Sequence, residues 1–117
     1  MFNFEKLETW QKAIDFADLV YSLTRNFPDE EKFGLTSQMR RAAVSIASNV
    51  AEGSSGCLAR TTPALELASG SLLEVVSQSV IGLRQRFLSK GSYDQLYAAA
   101  EEQSRMLSGL RRSLVKN

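Results

Sequence analysis

Residues 33–53 read FGLTSQMRRAAVSIASNVAEG, and this segment predicts a helix whose two ends are both marked in the sequence. Gly34 and the Thr36 that follows it are typical of a turn and a helix cap, and no helix breaker occurs before Gly53. An apolar stripe follows the helical period, and alanines keep the helix thin. The stripe consists of Leu35, Met39, Ala42, Ile46 and Val50. The segment therefore predicts a central helix that other helices approach closely.

A second, polar stripe runs along the same predicted helix at the same pitch. Its members are Gln38, Arg41, Ser45, either Ser48 or Asn49, and Glu52. Glu74 lies in a later helix after Gly70, and a glycine inside a helix indicates close approach of another backbone. Two interpretations stay open: a solvated helix face, or an inter-helix polar network in which Arg41 pairs with Glu74 inside the bundle. We favour the network, whose role would be register and specificity.

The helix predicted before this segment runs from about Leu7 to about Arg25, and Pro28 ends it. Its apolar residues cover a wider face than contact with one neighbouring helix requires. A similar surplus is predicted in the third helix. The residues concerned are Phe16, Val20, Leu23 and Phe27 in the first helix, and Leu73, Val80, Phe87 and Leu88 in the third. Large apolar patches are uncommon on monomers, so we expect these residues to close a symmetric oligomer.

Two more helices are predicted after residue 53. The third helix begins with Thr62 as N-cap and Pro63 as its first residue, and Gly91 is its left-handed stop. The fourth opens at Ser92, which starts a Ser-x-x-Gln capping box. No strand-like alternation competes with these helices. The sequence therefore predicts an all-α fold, an antiparallel up-down-up-down four-helix bundle that forms one domain over residues 1–117.

The sequence contains few of the groups that catalysis and metal binding use. It has no histidine and a single cysteine, Cys57, so the commonest general base and a tight transition-metal site are both missing. We expect no enzyme activity, no metal, no cofactor and no small-molecule substrate. One cysteine suits a reducing compartment, and neither a signal peptide nor an uncharged run long enough for a membrane span is recognised. A cytoplasmic protein without a membrane partner is predicted.

The charge balance gives no bulk attraction to nucleic acid, because 14 basic residues face 13 acidic ones and the net charge is +1. The candidate nucleic-acid contacts are Arg84, Arg86, Arg111 and Arg112. In a single subunit, solvated charge at helix C-termini is the better interpretation of these arginines. A symmetric assembly would repeat each of them around a ring, and the ring could then bind RNA.

Three motifs occur together in this chain: WQKA at residues 10–13, the whole of residues 33–53, and GSLLE at residues 70–74. Their combination resembles the four-helix bundle proteins encoded in intervening sequences of 23S ribosomal RNA genes. The resemblance implies a cytoplasmic homopentamer with no known enzyme activity and with ribosomal RNA as a partner. The alternative is a protein-interaction or structural scaffold with no nucleic-acid partner. The chain departs from the family pattern between residues 53 and 70, where relatives carry basic and aromatic residues.

Overall fold

A computed structural model of the protein describes residues 1–115, which fold into four long α-helices and two short 3₁₀ helices. No strand occurs within these residues, and the predicted all-α class is confirmed. The long helices are α1 (Glu8–Thr24), α2 (Leu35–Gly53), α3 (Leu58–Arg84) and α4 (Lys90–Leu114). The 3₁₀ helices are Asn3–Lys6 and Asp29–Glu31.

The helices pack as a four-helix bundle that measures 46 × 23 × 23 Å. Helix α1 contacts α2 and α4, α3 contacts the same two helices, and the α2–α3 contact is the most extensive. The predicted apolar stripe of α2 lies in the core, where Met39, Ile46 and Val50 have no exposed surface. A helix whose apolar face is this continuous gains most of its stability from that burial and not from intrinsic propensity.

The starts of α2 and α4 differ from the predicted ones. Helix α2 has Gly34 as its N-cap, and the Leu35 amide donates to Glu31 Oε1 at 3.0 Å. The residue predicted as its cap, Thr36, is buried. Helix α4 begins at Lys90, because Ser89 Oγ accepts a hydrogen bond from the Ser92 amide at 3.0 Å. Both predicted caps were wrong, because an earlier side chain, the Glu31 carboxylate at α2 and the Ser89 hydroxyl at α4, accepts from the first-turn amide instead.

Helix α3 begins earlier and ends earlier than predicted. It starts at Leu58, so Pro63 lies inside the helix and is not its first residue. After Arg84 the chain leaves the helix through Arg86, which has a φ of 65°. The Phe87 amide donates to the Gly82 carbonyl at 2.8 Å, which is the pattern of a Schellman C-cap. The left-handed residue is therefore Arg86, whereas the predicted stop, Gly91, lies in the first turn of α4.

The predicted apolar surplus belongs to other residues than expected. Phe16, Val20, Phe27 and Leu88 are buried in the chain's own core. Phe27 packs against Phe87 with ring centroids 5.5 Å apart, in space that the missing side chain of Gly82 leaves open. The large apolar residues exposed along the helices are Ile14, Tyr21, Val44, Leu58, Leu67, Leu73, Ile81 and Tyr97. Of the residues predicted to be surplus, Leu73 is the one that is exposed in the structure.

Helix α3 is, within residues 1–115, the one helix that could cross a membrane by length and composition. The core helix of a bundle passes the same test, and α2 and α4 both pack along α3. Only 39% of its most apolar 18-residue stretch is buried inside the chain. Helix α3 therefore presents apolar surface outward as well as inward.

Candidate polar cleft and nucleic-acid interface

A polar cleft of about 220 Å³ lies between α2 and α3, the two helices with the most extensive contact. It is lined by Gln38, Arg41, Ala42, Ser45, Ser71 and Glu74. Four of the six residues predicted to form a polar network therefore lie together. Ala42 and the serines allow the cleft to form, because their side chains are short.

One hydrogen bond crosses the cleft from α3 to α2, and bonds within each helix hold the side chains beside it. Ser71 Oγ donates to Ser45 Oγ at 3.0 Å, and the side-chain Nδ2 of Asn49 donates to the same oxygen at 3.0 Å. Asn49 also donates to the Ser45 carbonyl at 2.9 Å. Glu74 accepts a hydrogen bond from the amide of Gln78 at 3.2 Å. These bonds fix the side chains on both walls.

Arg41 and Glu74, which were expected to pair inside the bundle, are both exposed. They line the same cleft, but within residues 1–115 their charged groups do not come within 4.0 Å of each other. Each lies on the outward side of its own helix, where water solvates the charge more cheaply than a buried partner would. The cleft therefore presents a guanidinium and a carboxylate at its edge, beside hydrogen-bonded hydroxyls.

The two remaining members of the predicted network lie further along the same groove. Asn49 and Glu52 line a second cavity of about 240 Å³ with Arg60, Pro63 and Leu67 at the start of α3. Asn49 connects the two cavities, since its amide bonds to Ser45. The predicted polar stripe thus follows the α2–α3 groove over most of the length of α2.

Sequence reasoning missed three residues of this region. Ser71 lies three residues before Glu74, and Gln78 lies four residues after it. This spacing puts all three on the face of α3 that packs on α2, and it could have identified Ser71 and Gln78 from the sequence. Arg40 was overlooked because Arg41 fits the polar stripe better. Its Nε donates to Thr24 Oγ1 at 2.9 Å, so Arg40 joins α2 to α1 and not to α3.

The chemistry of the cleft suits binding better than catalysis. The hydroxyls of Ser45 and Ser71 are bonded to each other and to an amide, groups that do not activate a nucleophile. The thiol of Cys57 is exposed in the turn before α3. In the part of the chain that the structure describes, no three His, Cys, Asp or Glu side chains are grouped to hold a metal ion.

The four candidate arginines do not form one patch. Arg84 and Arg86 are exposed at the end of α3, and Arg111 and Arg112 are exposed in the last turn of α4. The second pair lies at the far end of a helix of 25 residues, which places it roughly 30 Å away along the bundle axis. Each pair is therefore a separate cationic site.

The chain matches the model of the family described as 23S rRNA-intervening sequence protein over residues 5–109, which include all four helices except the last turn of α4. The chain belongs to the 23S rRNA-intervening sequence protein family. The resemblance inferred from its motifs is thereby confirmed. The motif that contributes most to it, residues 33–53, is helix α2 with the turn before it. The intervening-sequence proteins form a family for which no enzymatic activity is indicated.

A crystal structure of similar fold comes from Bacteroides thetaiotaomicron VPI-5482 and is described as a protein with unknown function from the S23 ribosomal protein family. It shares 20% sequence identity with this chain, covers 89% of this chain and 95% of its own, and superimposes with a TM-score of 0.80. The similarity shows that the two chains share a fold. No curated protein sequence matches the chain.

Proposed function

We propose that this protein is a non-enzymatic, cytoplasmic homo-oligomer that binds nucleic acid, with structured ribosomal RNA as the first candidate. The observation that carries the proposal is the grouping of four exposed arginines into two pairs, one at the end of α3 and one in the last turn of α4. Arg84, Arg86, Arg111 and Arg112 are exposed, and within residues 1–115 no carboxylate lies within 4.0 Å of any of them. Exposed guanidinium groups without a carboxylate neighbour are suited to phosphate. The family's association with 23S rRNA supports the choice of RNA.

The proposal includes an antiparallel, up-down-up-down arrangement of the helices. Contacts between consecutive helices support it. Arg40, in the first half of α2, reaches Thr24 at the end of α1, and Gly53 at the end of α2 touches Leu65 near the start of α3. In this arrangement the arginine pairs lie at opposite ends of each subunit.

Self-assembly would multiply these charges. The proposed assembly is a homopentamer, the size that the family resemblance implies, and the exposed apolar residues of α3 support association. A ring would carry each arginine pair once per subunit, so that a chain of net charge +1 presents two belts of cations. Sedimentation should give one species at five times the subunit mass of 13.0 kDa.

RNA binding is tested by titrating a structured 23S rRNA fragment with the protein at low salt and following fluorescence anisotropy. The double variant Arg111→Glu plus Arg112→Glu should bind at least about tenfold more weakly, and the affinity of the parent should fall steeply with added salt because counterions are released. The matched control is Arg25→Glu plus Arg60→Glu, which makes the same charge change on exposed arginines outside both pairs. If both double variants lose the same affinity, net charge explains the binding and the arginine pairs do not.

The second candidate function is a protein scaffold with no nucleic-acid partner. The apolar residues exposed on α3, Leu67, Leu73 and Ile81, favour it, because protein partners cover such surfaces and phosphate backbones do not. A pentamer that ignores RNA at low salt would select the scaffold.

A further inference from the structure

The polar cleft between α2 and α3 contains one positive and one negative charge that do not pair with each other. Arg41 lines its α2 wall and Glu74 lines its α3 wall, and both residues are exposed. Within residues 1–115 neither has an oppositely charged group within 4.0 Å. Two opposite charges that share a cleft without pairing leave room for a ligand that makes a charge-assisted hydrogen bond to each of them.

The α2 wall of the cleft offers hydrogen-bond donors. Ser45 follows Arg41 by four residues, which puts the two side chains on one side of α2. Ser45 Oγ accepts hydrogen bonds from Ser71 Oγ and from Asn49 Nδ2, both at 3.0 Å. Because a hydroxyl oxygen has two lone pairs and one proton, these bonds occupy its lone pairs and leave its proton to donate. The guanidinium and this hydroxyl together suit a carboxylate, which only accepts hydrogen bonds.

The α3 wall offers hydrogen-bond acceptors. Glu74 follows Ser71 by three residues, on the same side of α3. The Ser71 hydroxyl gives its proton to Ser45, so it can offer a ligand only its lone pairs. Gln78, which is 7% exposed, donates to Glu74 Oε2 at 3.2 Å and so holds the carboxylate near the surface of the helix. A carboxylate and a hydroxyl oxygen together suit an ammonium group, which only donates hydrogen bonds.

The two walls determine the class of ligand. Because the cleft has one charge of each sign, its ligand should also carry one of each, whereas a phosphate would be attracted by Arg41 and repelled by Glu74. The volume of about 220 Å³ is below the range of about 300–1,000 Å³ that is typical of sites for drug-sized molecules. A free α-amino acid is small enough for this cleft, and it carries a carboxylate and an ammonium group on the same carbon atom.

We infer that the α2–α3 cleft binds a free α-amino acid. The ligand carboxylate accepts hydrogen bonds from Arg41 and Ser45, and the ligand ammonium group donates to Glu74 and Ser71. This small-molecule site is separate from the arginine pairs at the ends of α3 and α4, so it depends neither on RNA binding nor on self-assembly. Because the ligand contacts both walls, its binding joins α2 to α3.

The second cavity of the same groove provides a matched comparison. It carries the same two types of charge, with Glu52 on α2 and Arg60 on α3. It has no hydroxyl group beside either charge, because its other lining residues are Asn49, Ala59, Pro63, Ala64 and Leu67. The second cavity therefore has the charges of the polar cleft without the paired donor and acceptor hydroxyls.

Binding is tested on the full-length chain by NMR, which detects weak ligands. Each of the standard amino acids is added at about 10 mM, a concentration at which a dissociation constant of roughly 1 mM gives nearly full occupancy. At least one of them should shift the backbone amide resonances of residues 38–45 and 71–74. The inference is wrong if no amino acid shifts these resonances.

The orientation of the ligand is tested with two derivatives of the amino acid that binds most tightly. Its amide lacks the carboxylate, and its N-acetyl form lacks the ammonium group. Each derivative should bind the parent at least about tenfold more weakly than the free amino acid does. Arg41→Gln should weaken binding of the free amino acid to a similar extent and should bind the amide no more weakly than the free amino acid. Glu74→Gln should show the same insensitivity to N-acetylation.

The control variant is Glu52→Gln plus Arg60→Gln, which removes the two charges of the second cavity. It should bind the amino acid as the parent does. All four positions are exposed, so circular dichroism should show the helix content of the parent in every variant. An equal loss of affinity in the control and in the two cleft variants would overturn the assignment of the site. Derivatives that bind the parent as tightly as the free amino acid would also overturn it, because one end of the ligand would then lie outside the cleft.

Discussion

Arg86 holds the backbone conformation that ends α3, and it does so at a cost. Its φ of 65° brings the Cβ of an L-residue close to a carbonyl oxygen, which is unfavourable by roughly 1–2 kcal/mol. Glycine has no such penalty and is the usual residue at this position of a Schellman cap. We expect Arg86→Gly to raise the free energy of unfolding by about 1 kcal/mol in urea denaturation.

The control for this prediction is Arg84→Gly, two residues earlier. Arg84 is the last residue of α3, where glycine is less favourable than other residues by up to about 1 kcal/mol. The two substitutions remove the same side chain and should change stability in opposite directions. A loss of stability in both variants would mean that the arginine side chain and not the backbone determines the effect at residue 86.

Gln103 is buried in the core with half of its amide unsatisfied. Its Nε2 donates to the Thr9 carbonyl at 3.3 Å, while Oε1 has no hydrogen-bond partner among residues 1–115. A buried unsatisfied acceptor is unfavourable by about 1–3 kcal/mol, more than a long hydrogen bond returns. Gln103→Met keeps the volume and removes the orphan oxygen. We expect it to raise the thermal midpoint, or at least to leave it unchanged.

The comparison variant is Gln103→Ala, which removes the same polar atoms but leaves a cavity at a position with 1% exposure. It should be less stable than Gln103→Met by about 2 kcal/mol or more. If methionine lowers the stability as much as alanine does, Oε1 has a partner in solution, such as an ordered water molecule.

The two charged residues at the edge of the cleft, Arg41 and Glu74, are predicted to contribute little to stability. Arg41 and Glu74 are both exposed, and exposed charges interact weakly, by about 0–1 kcal/mol. We expect Arg41→Ala and Glu74→Ala each to change the free energy of unfolding by less than about 1 kcal/mol in urea. A loss near the roughly 3–5 kcal/mol typical of a broken buried pair would indicate that both residues are buried and paired, as predicted from the sequence.

The residue scale is also where sequence reasoning was least complete. The helical period put Gln38, Arg41 and Ser45 on one stripe, and in the structure these residues line one cleft with Glu74. The same period does not say which neighbouring helix a stripe meets, so Arg40 and its bonds to α1 were missed. Ser71 was missed as a partner of Ser45 for the same reason.

At the scale of helices, Gly53 at the end of α2 and Gly70 inside α3 have different surroundings. A Cβ on Gly53 would lie 3.0 Å from Leu65 Cδ2, whereas a Cβ on Gly70 would meet no atom of the described part of the chain within 4 Å. Gly70 does not mark the close backbone approach that we predicted within the chain. We expect Gly70→Ala to stabilise the protein by about 0.5–1 kcal/mol through helix propensity.

Gly53→Ala is the matched substitution at the close contact. Leu65 is 2% exposed and cannot easily move, so the added methyl group should lower stability by about 1–2 kcal/mol in the same urea titration. Stabilisation by both alanines would show that the α2–α3 contact adjusts freely at its end.

Helix boundaries were predicted less well than the helices themselves. The Thr62–Pro63 pair is a good start signal, yet α3 begins at Leu58 and contains both residues. The Arg60 amide donates to the Cys57 carbonyl at 2.9 Å, so the helix forms a tight first turn before the proline. Pro63 has no N–H group to donate to the Ala59 carbonyl. Ala59 is exposed, so water can solvate that carbonyl. Caps are short local signals, and several candidates lie within reach of each helix start.

At the scale of the whole molecule, the sequence predicted the class and number of helices because their apolar periods are long and uninterrupted. It also predicted more apolar residues than one bundle buries, but it named Phe16, Val20 and Phe27, which lie in the core. The period of α1 contains two apolar sets side by side. The positions of the neighbouring helices determine which set faces inward. The sequence of α1 alone does not specify those positions.

The unequal contacts between helices have a consequence for how the bundle opens. Helices α2 and α3 share the most extensive contact, whereas α1 and α4 share the least extensive and meet through residues as distant in sequence as Thr9 and Gln103. Regions of low contact density unfold locally before the rest. In native-state hydrogen exchange, amides of Ile46 and Val75 should exchange only by global unfolding, and amides of α1 by smaller openings. Equal protection in α1 and α2 would indicate one cooperative unit. Otherwise α2 and α3 together form a separate cooperative unit that unfolds after α1.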